Sequence, residues 1–286
     1  MMPVSLEHAL SPDTTTSAIE LPNRGGSRRD SIGLSLKFFT AVVLLGLYLP
    51  VVVLVIFSFN DNIVTTLPLR GFTLEWYRKA LSNEELLRAA FNSLYVGVTA
   101  TAITLVLGTA GAFAIDRTNF PGKNIFRRLV VLPLILPGII TGISMLNFFR
   151  VLGFNLSLET VILGHATALT SVVITQVYAR LLRLNRRIEE ASSDLGASRW
   201  QTFLYITLPN IRSALIGSGL LCFTLSFDEI PVTFFLTGRD NTLPMYIYST
   251  LRKGITPEIN AIGTIIIITS LVLILISISL LRDEHK

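Results

Sequence analysis

The chain has 286 residues, of which 51% are hydrophobic and only 15% charged, and its mean hydropathy is +0.61. Soluble domains carry about a quarter charged residues, so the composition points to a membrane protein. One cysteine, Cys222, excludes an internal disulfide and a cysteine metal cluster. The net charge of +5 is spread between apolar runs rather than gathered on one basic face, which speaks for membrane topology and against a nucleic-acid partner.

Residues 1–33, rich in Ser, Thr and Pro and carrying Arg24, Arg28 and Arg29, read as a flexible tail. The first apolar run, about 34–59, is longer than the core of a cleavable signal and long enough to cross a bilayer, so it predicts a retained anchor. Residues 60–90 form a long loop leading into the second span, and Thr73 to Leu81, with Trp76 and Tyr77, predicts a short helix at the membrane interface. Ser82 with Glu85 reads as a capping box that opens a second span, about 86–115. That span carries Gly97, Ala100, Thr104, Gly108 and Ala112, small residues at a spacing that lets helices approach closely.

A basic loop follows, with Arg117, Lys123, Arg127 and Arg128. The third span, about 129–149, contains Pro133, Pro137, Gly138 and Gly142, breaks that are tolerated where protein or a wet cavity satisfies the freed backbone. The fourth span, about 158–181, contains His165. No second histidine or carboxylate accompanies it at metal spacing, so it reads as a hydrogen-bonded packing element and no metal site is expected. Two further spans, about 211–236 and 259–281, complete six. An even number puts both termini on one side, and 16 of the 24 Lys and Arg then lie on that side, which predicts cytoplasmic termini.

Between spans four and five, residues 182–210 form a polar island. Ile188, Ala191 and Leu195 make one apolar stripe on a short helix whose other surface carries Glu189, Glu190 and Asp194. Gly196 can end this helix in the left-handed conformation. Ser198 with Gln201 reads as a capping box for a second helix, faced by Trp200, Phe203 and Leu204. Pro209 disfavours helical geometry at Leu208, so a bend is expected before the fifth span. On pattern alone the stretch also fits an ordinary amphipathic helix at the interface.

The residues in this stretch resemble the signature loop of permease subunits in bacterial binding-protein-dependent ABC importers. Glu190, Ala191, Gly196, Ile206, Leu208 and Pro209 stand at the spacing of that motif, with Ser192 in place of its second alanine. The resemblance implies an all-α membrane protein with six transmembrane helices and the type I ABC importer permease fold. It also implies that the loop, Ala197 included, docks into a groove on a cytoplasmic ATPase subunit. From about Phe59 onward the chain is similar to the second permease of spermidine/putrescine importers. The similarity rests on Gly71-Phe72-Thr73-Leu74-Glu75-Trp76-Tyr77, Phe223-Thr224-Leu225-Ser226-Phe227-Asp228-Glu229 and Pro257-Glu258-Ile259-Asn260-Ala261. The partners implied are an ATP-binding subunit dimer, a second permease subunit, a periplasmic substrate-binding protein and membrane lipid. The location implied is the bacterial inner membrane. Substrates in view are polyamines, with opines, amino acids or phosphonates as alternatives.

Asp228 and Glu229 stand before Pro231 within the fifth apolar run. An ionisable group there costs at least about 2.5 kcal/mol at mid-bilayer, so it faces a cavity or a partner. Adjacent helical residues point about 100° apart, so at most one of the two faces a given lumen. If the helix continues through Pro231, the carbonyl of Phe227 loses its donor. A carboxylate beside a free carbonyl suits an ammonium group, and Asp228 is the preferred candidate for the lumen. The competing reading leaves both acids at the outer interface, solvated or paired with Arg239. No Gly-x-x-x-x-Gly-Lys-Ser/Thr loop is present, so ATP binding by this chain is not expected, nor is any cofactor. A stand-alone carrier should carry internal repeats, which are not evident. An intramembrane enzyme needs a catalytic pair at one depth, and none is visible.

Overall fold

The computed structural model describes residues 26–62, 71–254 and 257–283, with side chains from 36 and up to 272. Residues 1–25, 63–70, 255–256 and 284–286 lie outside the described residues, and with them most of the expected N-terminal tail. Among the described residues the chain is helical, apart from one isolated bridge between Asn60 and Phe72.

The chain divides at Val53 into two units. The first ends within helix α1 (Gly26–Ser58), whose apolar part runs from Leu36. This helix begins before the expected boundary at 34. In the second unit, the last turn of α1 continues into a loop held by polar contacts. Ser58 Oγ and Tyr77 Oη lie 2.6 Å apart, and Trp76 Nε1 donates to the Asn60 carbonyl at 2.8 Å. The two aromatics expected at the membrane interface thus bolt helix α2 (Glu75–Ser82) onto the end of α1.

Helix α3 (Glu84–Arg117) is capped by Asn83, whose side chain accepts from the Leu86 amide at 3.1 Å. This corrects the expected Ser82–Glu85 box. Ser82 is still inside α2 and its hydroxyl turns back to the Lys79 carbonyl. At about 1.5 Å per residue, α3 is roughly 50 Å long, which exceeds a hydrocarbon core of about 30 Å. Its small residues Gly97, Ala100, Thr104, Gly108 and Ala112 are all buried. A Cβ at Gly108 would stand 2.5 Å from Cβ of Val173, and one at Gly97 would stand 3.0 Å from the Phe223 ring. Packing is therefore the meaning of this stripe: it seats α3 against α7 (Leu158–Leu181) and α10 (Leu208–Phe227). The core they share includes Ile115, Val173, Val177, Leu181, Ile211 and Cys222.

The third apolar run is not one straight helix. It comprises α4 (Lys123–Leu129), α5 (Leu132–Ile135) and α6 (Gly138–Val151), with a bend of 110° before Gly138. Pro137 forces the bend, because the residue before a proline avoids helical geometry and Leu136 accordingly has ψ 133°.

After α7 come α8 (Arg186–Asp194) and α9 (Arg199–Thr202), then a π-turn at Phe203–Thr207 that runs straight into α10. The bend expected at Leu208 is absent. Leu208 is helical (φ −60°, ψ −46°), and its amide reaches five residues back to the Phe203 carbonyl. Widening the turn accommodates Pro209, and Asn210 Nδ2 satisfies the Ile206 carbonyl at 2.7 Å.

The expected fifth span at 211–236 is likewise two pieces. Helix α10 stops at Phe227, and α11 (Pro231–Leu236) starts afresh with proline in its first turn, where the missing amide costs nothing. Pro231 therefore opens a helix instead of interrupting one. Helices α12 (Leu243–Lys253) and α13 (Pro257–Asp283) complete the chain. Among the described residues four helices are long and apolar enough to cross a membrane, or five if the bent α4–α6 segment is one span. Within α13, Pro257–Val272 is a shorter apolar stretch.

Candidate functional site

The polar island folds as two short helices about a glycine joint. Asn185 caps α8, accepting from the Arg187 amide at 3.1 Å. At its other end Gly196 has φ +85°, which side-chain-bearing residues rarely adopt. The Gly196 amide bonds to the Ser193 carbonyl, and the Ala197 amide to that of Ser192, which is the Schellman closure. Ser198 and Gln201 then exchange hydrogen bonds at 2.8 and 3.3 Å to start α9. Trp200 stacks on Phe203, and Phe203 meets Phe113 of α3 edge-on.

Helix α8 buries none of its residues, and Leu195 behind it is 89% exposed. Ile188, Glu190, Ala191 and Leu195 all lie at the surface, whereas Ile206 and Leu208 are half-buried and Pro209 is exposed. The surface is apolar and acidic together. What holds α8 to the membrane helices is polar. Arg186 Nη2 pairs with Asp116 Oδ1 at 3.1 Å, Arg117 Nη2 with Glu189 Oε2 at 2.7 Å, and Thr207 Oγ1 donates to Glu189 Oε1 at 2.5 Å. Sequence reasoning placed Glu189 on the polar surface of α8 without a partner and did not single out Asp116. Their only local signal is Arg186 and Glu189 three residues apart, which puts both on one face of α8.

The second site is the break between α10 and α11. Asp228 is the C-cap of α10 and exposed. Glu229 is half-buried, and its Oε1 accepts from the Val232 amide at 3.0 Å, so its carboxylate caps α11. The two side chains face different cavities. Glu229 lines one of about 170 Å3 with Pro133, Gly138, Thr141, His165 and Ser226. Asp228 lines one of about 260 Å3 with Phe227, Ile230, Tyr248, Leu251 and Ile266. His165 is buried beneath the break. Its Nδ1 lies 2.8 Å from Ser226 Oγ on α10, and its Nε2 lies 2.9 Å from Thr233 Oγ1 on α11. One imidazole thus ties α7 to both sides of the interruption. Among the described residues no cluster of His, Cys, Asp and Glu could hold a metal ion.

Residues 109–282 match the family of binding-protein-dependent transport system inner membrane components, a stretch that takes in α8, the glycine joint and the α10–α11 break. The chain belongs to this family. It is a transport subunit of the inner membrane, a multi-pass permease. The spermidine/putrescine transport system permease protein PotC of Escherichia coli is 35% identical over 250 residues, covering 87% of this chain and 94% of the relative. The putrescine transport system permease protein PotI of the same organism is 38% identical over 237 residues, covering 79% and 84%. Among solved structures, the bacterial alginate ABC transporter in complex with its pentasaccharide-bound periplasmic protein matches with TM-score 0.69 at 18% identity, over 87% of this chain and 93% of that one. That likeness bears on the fold, which is the fold of ABC importer permeases.

In the permease, then, the two segments singled out by sequence are separate sites at opposite ends of α10. The polar island precedes its first turn and the acidic pair follows its last.

Proposed function

We propose that this permease forms half of the translocation pathway of a type I ABC importer for polyamines of the spermidine/putrescine class. In this reading six spans cross the inner membrane, about 34–59, 86–115, 129–149, 158–181, 211–236 and 259–281, the third and fifth of them broken, with both termini cytoplasmic and a cytoplasmic tail before residue 34. A sister permease supplies the other half, a periplasmic binding protein delivers the substrate, and an ATPase dimer grips residues 182–210. Glu190, Ala191, Gly196, Ala197, Ile206, Leu208 and Pro209 belong to that coupling loop.

The observation that carries the substrate reading is the setting of Asp228. This exposed residue lines a cavity whose other walls are aliphatic and aromatic. A polyamine is a methylene chain with ammonium ends, so it suits a wall of this kind: the chain lies on apolar surface, and an ammonium group meets the acid. Glu229, engaged with the α11 amide, is assigned the structural share of the pair. The test is uptake of labelled spermidine by proteoliposomes holding the complete transporter, with putrescine, an amino acid, an opine and a phosphonate as competitors. Competition by putrescine alone supports the reading. Competition by one of the other compounds moves the substrate class and leaves the architecture intact.

Topology has its own check. Reporter fusions after Lys123 and after Glu190 should score cytoplasmic, and one after Asn83 periplasmic. A periplasmic score at Glu190 would remove the loop from reach of any ATPase.

A further inference from the structure

Helix α8 has no apolar anchor of its own, since none of its residues is buried. Three routes lead from it to the membrane helices. One is the covalent turn at residues 182–185 to α7. Another is the Gly196 joint to α9 and the π-turn, reinforced by Ser192 Oγ and Thr202 Oγ1 at 3.0 Å. The third is lateral and made of ions. Arg186 and Glu189, on adjacent turns of α8, face Asp116 and Arg117 at the end of α3. The Asp116 side chain is only 3% exposed and also pairs with Arg117 Nε at 3.0 Å. Glu189 is 15% exposed and takes both Arg117 and the Thr207 hydroxyl. Charges so shielded are screened far less by salt than surface pairs are. This cluster is the direct attachment of α8 to α3, which in turn is packed along α7 and α10 by its small-residue stripe.

We propose that the Asp116–Arg117–Glu189–Arg186 cluster is the joint that carries motion of α8 into the transmembrane helices, with Glu189 as its central positioning residue. The proposal rests on the reading of residues 182–210 as the ATPase-coupling loop. A helix pushed from outside moves α3 only if it is fastened to α3. Without the cluster, α8 is held only through its two ends and the Ser192–Thr202 contact, none of which reaches α3, and hydrolysis proceeds with the membrane helices left behind. Glu190, exposed on the same helix, belongs to docking, whereas Glu189 belongs to transmission.

The experiment uses the complete transporter in proteoliposomes, with labelled spermidine as the transported probe. Glu189→Ala should keep the ATPase subunits bound and ATP hydrolysis within about twofold of wild type. It should lower spermidine moved per ATP hydrolysed at least fivefold. Arg186→Gln, at an exposed residue whose loss does not threaten folding, should lower the same ratio by a smaller factor. A second readout needs no substrate: spin labels on Thr118→Cys and Ser193→Cys report the distance between α3 and α8. Cys222 is fully buried and stays unlabelled. The distance distribution should be narrow through the ATP cycle in wild type and broad in Glu189→Ala. A wild-type ratio with a narrow distribution overturns the proposal. If Glu189→Ala fails to accumulate, an unchanged ratio and distribution in Arg186→Gln overturn it instead. Release of the ATPase from Glu189→Ala also overturns it, since the residue would then serve docking. Normal transport by Gly196→Val with the ATPase bound would instead remove the coupling loop itself.

Discussion

Asp228→Asn should lower polyamine uptake at least tenfold, with binding-protein affinity and complex assembly unchanged. Asparagine keeps the shape and the hydrogen-bonding oxygen and removes only the charge. An ammonium at roughly 4 Å from a carboxylate, at an effective dielectric near 20, has a Coulomb term of about 4 kcal/mol before desolvation is subtracted. Solvent at the exposed rim reduces this, yet one-third of it still corresponds to about tenfold in rate. The contact must remain weak beside that in the binding protein, because a transporter releases what it holds. Glu229→Gln should do less to uptake, since glutamine can still accept from the Val232 amide, 3.0 Å away in the native chain. Uptake by each variant relative to wild type, measured at equal protein level, decides the matter. Wild-type rates for Asp228→Asn would return that residue to the role of a solvated interfacial acid.

Gly196→Val should abolish uptake while the protein accumulates in the membrane at its usual level. The reason is backbone conformation, not crowding: a Cβ at Gly196 meets nothing within 4 Å, but φ is +85°. For a β-branched residue the left-handed region costs roughly 1–2 kcal/mol, and the Schellman bonds to Ser192 and Ser193 depend on it. Because α8 buries nothing, the cost falls on the geometry of the loop and hardly on the fold. Gly196→Asn supplies the control, as asparagine tolerates this conformation and should retain most transport. Equal loss in Val and Asn variants would point to a need for bare backbone at the surface instead of a left-handed turn.

Local devices were legible in the sequence because their partners are neighbours. The glycine joint, the Ser198–Gln201 box and the small-residue stripe of α3 are each written within a few turns of helix. The interruptions were harder to place. A proline inside a helix and a proline opening one give the same letter, and Pro209 and Pro231 were resolved only by what surrounds them. At Pro209 a π-turn and the Asn210 side chain keep the chain helical. At Pro231 the Glu229 carboxylate supplies a cap, so a new helix starts. Contacts distant in sequence were not legible at all. Arg117 meets Glu189 across 72 residues, and His165 finds Ser226 and Thr233 across 61 and 68. Periodicity carries no record of such pairings.

The proposed activity of this permease is movement of a cationic polyamine under power delivered through residues 182–210. Its most direct measurement is accumulation of labelled spermidine in ATP-loaded proteoliposomes holding both permeases, the ATPase dimer and the periplasmic binding protein. Uptake should require ATP and the binding protein, and should be lost in Gly196→Val with the ATPase still attached. Uptake that persists without ATP, or that Gly196→Val leaves at the wild-type rate, would contradict it.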